Sequence, residues 1–387
     1  MPPDAIYEHL LERACRLAET ALTLSNPNPR VGCVIADAAG QVLGEGYTQQ
    51  AGGPHAEVMA LRDAAAQGLP VQGATAYVTL EPCAHQGRTG PCCEALIAAG
   101  IEQVVVATQD PNPLVAGRGV QRLRAAGVAV QVLGREHALA RATRELNIGF
   151  FSRMLRGTPW VRLKMAASLD GTSALAGGAS QWITGPAARA DGHAWRARAC
   201  AVLTGIGTVL QDNPRLDVRD VPTTRQPHLV VVDSRLQTPA NARLLEPAAS
   251  GQPRQVWIFS AENNPTQQAA LAAKGAQVIH MPGSPDAAGQ ASSNKVDLSA
   301  MLRELGRREI NELHVEAGSK LNGSLLRAGL VDECLLYLAP KLLGAGQGLA
   351  DIGPLNQLSE AIELDVQSID CVGEDIRLLA RVSGRGV

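Results

Sequence analysis

The sequence has no run of about 18 apolar residues, so no segment of it reads as a membrane-spanning helix. It has no excess of either charge: 35 Lys and Arg stand against 37 Asp and Glu, for a net charge of −2. A broadly basic surface for long nucleic acids is therefore not expected. The start, "MPPDAIYEHLLERACRLAET", is acidic and amphipathic and lacks the basic opening and apolar block of a secretory signal. Eight cysteines in 387 residues are too sparse for a disulfide framework. There is no internal repeat and no low-complexity tract. What is present is a chain of 45% hydrophobic and 19% charged residues, the composition of a globular protein of two or three domains. Cytoplasmic location is expected.

Ile6, Leu10, Ala14, Leu17 and Ala21 recur at helical spacing, which predicts a helix over 4–23. "NPNPR" ends it. "VGCVIAD" and "QVLGEGY" then read as two strands around a turn at Gly40. A helix over 55–67, a strand "TAYVTLE", a helix from Cys92 to Ala99 and a strand "QVVVATQD" follow. This alternation after an initial hairpin predicts a layered α/β domain with a mixed sheet. "RGTP" (Arg156–Pro159) marks a boundary. A second alternation runs from "WVRLKMAAS" to "ECLLYLAPKLLG", with a surface loop expected at 281–294.

Three of the cysteines crowd into "TLEPCAHQGRTGPCC". "PHAEVMALRDAAA" puts His55 and Glu57 at a helix start, with Pro54 read as the first helical position. Cys83 follows a strand, and Cys92 opens the next helix. Helix starts gather at the carboxyl ends of strands, so His55, Cys83 and Cys92 could converge. One imidazole and two thiolates suit tetrahedral zinc and leave a fourth position for water. Zinc lowers the pKa of bound water from about 9 to about 7. Glu57, two residues from His55, is placed to take that proton and deliver it to a leaving amine. Each element alone is weak, since a lone His-x-Glu is commonly surface polarity. A structural zinc site, moreover, would supply four protein ligands.

H-x-E followed by P-C and a further cysteine resembles the signature of zinc-dependent nucleobase deaminases. The usual two residues between cysteines are replaced here by eight, Ala84 to Pro91. In that longer form, "PCAHQGRTGPC" resembles the deaminase half of the bifunctional riboflavin-biosynthesis deaminase–reductase family. "NPNPRVGCVI", "GEGYTQQAGGPHAEV" and "TAYVTLEPC" extend the likeness over most of the first 110 residues. Arg30 departs from the more neutral residue expected there, and Gly90 from a frequent proline. The resemblance implies a cytidine-deaminase-like three-layer domain over 1–150. It implies one zinc per chain on His55, Cys83 and Cys92, with Glu57 catalytic. Cys93, about 100° further round the helix, is read as packing. Asn28 would lie near the pyrimidine, or merely cap its turn. His85, Arg88 and Thr89 are read as a substrate loop.

In the second half "GIGTVL" fails the dinucleotide fingerprint, because Leu210 occupies the third glycine position. "EAGSKLNGSLL" offers a strand, a Gly-bearing turn and a helix start that could cradle a phosphate, or be a plain turn. With "LKMAASLDG", "SQWITG", "AVLTGIGTVLQDNPRLDVR" and "VDECLLYLAPKLLG", it resembles the reductase half of the same family, with a dihydrofolate-reductase-like fold over 157–387. The resemblance implies NADPH at Ala166, Trp182, Thr208, Asp212, Ser234 and the turn Gly318, Ser319, Lys320, Leu321, Asn322, Gly323, Ser324. It implies the phosphorylated substrate at Ser180, Arg196, Leu216, Arg219 and Glu316. Arginines suit phosphate through bidentate donors. Lys164 could orient the substrate or reach solvent. Arg235 could hold a 2′-phosphate or be a solvated loop charge.

The expected activity is deamination of a diaminopyrimidinone ribose phosphate, then reduction of its ribosyl group to ribityl. The expected partner is a small phosphorylated pyrimidine, with no nucleic acid or membrane, and a homo-oligomeric state (dimer or tetramer). Two rival readings remain. A tRNA-adenosine deaminase would resemble the first half only, and a zinc-stabilised binding module would not need His55-x-Glu57 beside the cysteine pair.

Overall fold

The computed structural model describes residues 3–84, 90–113, 115–283 and 294–386. The chain divides into two compact units, Met1–Arg156 and Gly157–Val387.

The first unit contains, in order, α1 (Pro3–Thr20), β1 (Gly32–Ala36), β2 (Val42–Tyr47), α2 (Ala56–Ala66), β3 (Thr75–Leu80), α3 (Cys92–Ala98), β4 (Gln103–Thr108), α4 (Arg118–Ala125), β5 (Ala129–Val132), α5 (Ala138–Leu146) and α6 (Ile148–Arg156). Its sheet has the order β2-β1-β3-β4-β5. β1 is antiparallel to both β2 and β3, while β3, β4 and β5 are parallel. Hence β2, β3 and β4 all point the same way, and the loops after them open on one edge of the sheet. β1 is buried throughout, and β3 nearly so, because "GCVIA" and "TAYVTL" are covered on both faces. Helix α2 lies directly on β2. A Cβ on Gly46 would stand 2.5 Å from the Met59 Cβ and 2.6 Å from the Ala60 nitrogen, so only glycine lets helix and strand approach this closely.

The second unit contains β6 (Trp160–Ser168), β7 (Thr172–Leu175), α7 (Pro186–Arg198), β8 (Ala201–Gly205), α8 (Ile206–Asp212), β9 (His228–Val232), β10 (Val256–Ser260), α9 (Pro265–Ala272), β11 (Ala276–His280), α10 (Leu298–Arg307), β12 (Glu312–Val315), α11 (Ser319–Arg327), β13 (Glu333–Ala339), β14 (Gly346–Gly348), β15 (Leu364–Val372) and β16 (Asp375–Val382). The order of its large sheet is β11-β10-β9-β8-β12-β6-β13-β16-β15, with β7 and β14 forming a separate ribbon. Strands from β11 to β13 are parallel; β16 and β15 close the sheet antiparallel. One core cluster gathers Leu163, Leu203, Val230, Phe259, Leu313 and Leu325. Under α7 the sheet carries buried charge. Arg162 donates to Glu333 at 2.5 Å and to Glu312 at 3.0 Å, with all three side chains under 5% exposed.

Two local expectations change. The first helix ends at Thr20 rather than near residue 23. Helix α2 starts at Ala56 with His55 as its N-cap in extended geometry, so Pro54 stands outside the helix. Most of the loop expected at 281–294 lies outside the described residues, as do His85, Arg88 and Thr89.

Candidate active sites

The loops after β2 and β3 bring His55 and Cys83 together with Cys92, the first residue of α3. Cys92 Sγ lies 3.3 Å and Cys83 Sγ 3.7 Å from His55 Nδ1, and all three ligand atoms fall within 4.8 Å of one another. A tetrahedral zinc with ordinary Zn–S and Zn–N bonds would separate its sulfur and nitrogen ligands by about 3.6 Å. The three side chains therefore fit such an ion without rearrangement. The Cys92 backbone N–H also donates to Cys83 Sγ at 3.4 Å. Hydrogen bonding from Cys92 is the main cause that draws the Cys83 thiol down to about 4, against the effect of burial. Cys92 moves the other way, pushed up by its hydrogen bond with Cys83 and by burial. This direction favours the thiolate on Cys83, the form of cysteine that ligates a metal. His55 is raised by its hydrogen bond with Cys83, with burial opposing.

Glu57 sits in the first turn of α2 and is 3% exposed. Burial, reinforced by the charge on Cys83, raises its pKa above the ordinary carboxyl value, while His55 opposes. A carboxyl so placed exchanges protons nearer neutrality than a solvated one. Cys93 is fully buried beneath α3; its thiol donates to the carbonyls of Pro82 at 3.2 Å and Gly119 at 3.6 Å. Asn28 lies in the turn after α1, where its N–H donates to the Ser25 carbonyl and its own carbonyl accepts from the Ser25 hydroxyl. Arg30 is buried and donates to the carbonyls of Leu22 and Leu146. It serves the ends of two helical segments.

Sequence reasoning passed over Asp110. It follows β4 and is 8% exposed, and burial pushes its carboxyl up to about 7, with Cys83 near enough to contribute. The signal was available in "QDPNP", an Asp-Pro-Asn turn closing a strand on the site edge.

In the second unit β6, α8, the turn after β12 and the β7–β14 ribbon enclose a cleft. Of the residues singled out from sequence, Lys164, Ala166, Ser180, Thr208, Asp212, Glu316, Gly318, Ser319 and Asn322 line it. Ser173, Gln211, Gln347 and Leu349 line it too, and nothing in their sequence context had marked them. Lys164 is partly buried within β6, and burial lowers its pKa while Glu316 opposes. Gly318 caps α11. Lys320, Leu321, Gly323 and Ser324 of that turn do not line the cleft. Leu321 packs toward Gly205, and the Ser324 hydroxyl donates back to the Lys320 carbonyl. A Cβ on Gly323 would stand 1.8 Å from the Asp351 carbonyl oxygen, so this glycine serves packing.

Arg196 stands behind the cleft wall, with both its Nε and its Nη2 donating to Glu316. Burial pushes the Glu316 carboxyl up, but Arg196 carries it well below its usual range. The two therefore act as a joined pair. Arg219 is 43% exposed and bonded to the buried Asp217, next to Leu216 at a left-handed φ of 53°. Trp182 is 67% exposed, with the Arg189 guanidinium 4.6 Å from its ring centroid. Ser234 follows β9, where its hydroxyl accepts the Val296 N–H. Arg235 beside it is exposed. None of these last residues lines the cleft.

Taken together, these features describe an enzyme that joins a zinc-type deaminase unit to a reductase unit. Residues 5–108 match the cytidine and deoxycytidylate deaminase zinc-binding region, and residues 159–378 match the RibD C-terminal domain. The riboflavin biosynthesis protein RibD of Escherichia coli (strain K12) is 43% identical over 385 residues, covering 96% of this chain and 98% of the relative. A solved structure of Acinetobacter baumannii RibD is 39% identical, with a TM-score of 0.84, covering 97% of this chain and 99% of that one. A Thermotoga maritima diaminohydroxyphosphoribosylaminopyrimidine deaminase/5-amino-6-(5-phosphoribosylamino)uracil reductase is 31% identical, with a TM-score of 0.82, covering 98% and 99%. The chain belongs to the RibD family of riboflavin biosynthesis proteins and is a bifunctional deaminase and reductase. The family, the two α/β folds and the pairing of activities expected from sequence are borne out. No described helix is long and apolar enough to cross a membrane.

Proposed function

We propose that residues 1–150 deaminate 2,5-diamino-6-(5-phosphoribosylamino)pyrimidin-4-one. Residues 157–387 then reduce the ribosyl group of 5-amino-6-(5-phosphoribosylamino)uracil to ribityl with NADPH. The observation that carries this reading is the convergence of one imidazole nitrogen and two sulfurs within 4.8 Å beside the buried carboxyl of Glu57. His55 Nδ1, Cys83 Sγ and Cys92 Sγ hold one zinc ion per chain. Zinc, when bound, supplies a water activated at neutral pH. Glu57 accepts a proton on a carboxylate oxygen and delivers it to the leaving amine, and its raised pKa supports both halves of that role. Asn28 meets the pyrimidine, and His85, Arg88 and Thr89 meet the ribose phosphate or the pyrimidine.

In the reductase cleft the N-terminus of α11 at Gly318 and Ser319 suits the cofactor pyrophosphate, with Ala166, Thr208 and Asp212 alongside. NADPH, when bound, supplies the hydride. Trp182, Ser234 and the rest of the α11 turn extend the cofactor site. Ser180, the Glu316–Arg196 pair, Leu216 and Arg219 hold the substrate. Arg219, the more exposed arginine, meets its phosphate. Lys164 orients the ribosyl group. None of the eight cysteines is paired in a disulfide, which supports action in the reducing cytoplasm. Exposed Val366 and Ile369 on edge strand β15 support a homo-oligomer.

A coupled assay tests the reading. One zinc per chain, ammonia release from the diaminopyrimidinone phosphate, and NADPH consumption only after that release are expected. NADPH loss without prior deamination would overturn the order. Deamination of a tRNA anticodon loop with the free pyrimidine inert would overturn the substrate.

A further inference from the structure

The glutamate of "LEPC" has no part in the chemistry above, yet it is heavily engaged. Glu81 follows β3 and is 3% exposed. Its Oε2 accepts the backbone N–H groups of Gly117 at 3.0 Å and Asp110 at 3.3 Å, and its Oε1 accepts that of Val120 at 3.1 Å. Gly117 is the N-cap of α4 and Val120 lies in its first turn, so the carboxylate also faces the positive end of that helix. Three N–H donors on one buried carboxylate make a strong, directional anchor.

The next two residues are clamped as firmly. The Pro82 carbonyl accepts from the Cys93 thiol. Gly119 packs on that carbonyl so closely that a Cβ would stand 2.0 Å from it. The Cys83 carbonyl accepts the Cys93 N–H at 3.2 Å, and its sulfur faces His55. Beyond Glu81, the turn after β4 is tightened by Asp110 itself, whose Oδ1 accepts the Asn112 N–H at 2.8 Å. One short segment thus ties the sulfur pair, the start of α4 and the Asp110 turn into a single frame.

We propose that Glu81 is a positioning residue for deamination, holding the Asp110–Asn112 turn against the His55, Cys83 and Cys92 cluster as a fixed wall for the pyrimidine. This rests on the reading of that cluster as the deaminase centre. A carboxylate is needed because every partner is a donor. Glutamine keeps the shape but turns an NH2 group toward at least one of them.

The test uses the full chain with Glu81→Gln. Zinc content and reduction of the already deaminated substrate are expected to match the parent. Deaminase KM should rise about tenfold with little change in kcat, the scale of one lost charge-assisted hydrogen bond. In an Asp110→Ala background the same change should add less than about twofold, because both act through one turn. Unchanged KM, zinc loss in step with activity, loss of both activities, or additive effects would each overturn the proposal. His55→Ala separates the two failures. If it left deamination intact, the reading of the cluster would fall, whatever Glu81 does.

Discussion

At the scale of single residues, the site was legible where chemistry demands a residue type and hidden where it demands only a backbone partner. His55, Cys83 and Cys92 stood out because few other arrangements explain an imidazole at one helix start, a thiol just after a strand and a thiol at the next helix start. Glu81 and Asp110 did not, because Glu81 works on amides 29, 36 and 39 positions away and no local pattern records that. Two predictions belong here. Glu57→Gln should retain zinc, since the ligands are untouched, and lose about 10²–10⁴-fold in deamination, the range for a missing general acid–base. Unchanged ammonia release would remove Glu57 from the mechanism. The two arginines should also part company. Arg196→Ala strands Glu316, whose side chain is 14% exposed, and should destabilise the second unit by about 3–5 kcal/mol in denaturant titration. Arg219 is 43% exposed; Arg219→Ala should cost at most about 1 kcal/mol of stability while raising reductase KM. Equal stability losses would contradict this division.

At the scale of elements, apolar runs such as "VGCVIAD" and "QVVVAT" gave away the buried strands because a strand covered on both faces needs nothing else. Helix ends were less legible. Pro54 suggested a helical first turn, yet the chain stays extended through His55, which aims the imidazole at the sulfurs. The β7–β14 ribbon was invisible, since "GQG" has neither alternation nor β-branched residues. What sets α2, and with it His55 and Glu57, is its contact with β2 at Gly46. Gly46→Ala places a methyl group 2.5 Å from Met59 Cβ, so helix and strand must separate. Over-packing of this kind costs about 1–3 kcal/mol. Deamination should fall and zinc affinity weaken while reduction is unaffected. Parent-like zinc binding in that variant would show that α2 is positioned by other contacts.

At the scale of the whole molecule, the two units can be watched separately in one chain. All four tryptophans, Trp160, Trp182, Trp195 and Trp257, belong to the second unit, so fluorescence excited selectively at tryptophan reports its unfolding alone. That unit buries histidines in the neutral form. Burial lowers His193 to about 4, with Arg196 adding to the effect. Burial likewise lowers His228 to about 4, with Arg225 adding. His314, at the centre of the sheet, is also lowered by burial. A histidine depressed in the folded state binds its proton first in the unfolded chain. Its contribution is therefore complete above the unfolded value near 6.5 and is lost as pH falls toward about 4. The slope is at most about 1.4 kcal/mol per pH unit for each proton taken up. Carboxylates held low, such as Glu316 and Asp217, lose their contribution only at lower pH, as they protonate. Urea midpoints followed by tryptophan fluorescence should therefore drop between pH 6.5 and about 4. Replacing His193 and His228 with glutamine should flatten that drop, because the amide removes the titrating group while it can still accept the Arg219 N–H that His193 Nδ1 accepts, face Asp220 as His193 Nε2 does, and accept the Gln255 N–H that His228 accepts. A slope that survives the double replacement would assign the acid sensitivity of this unit to groups other than these two histidines.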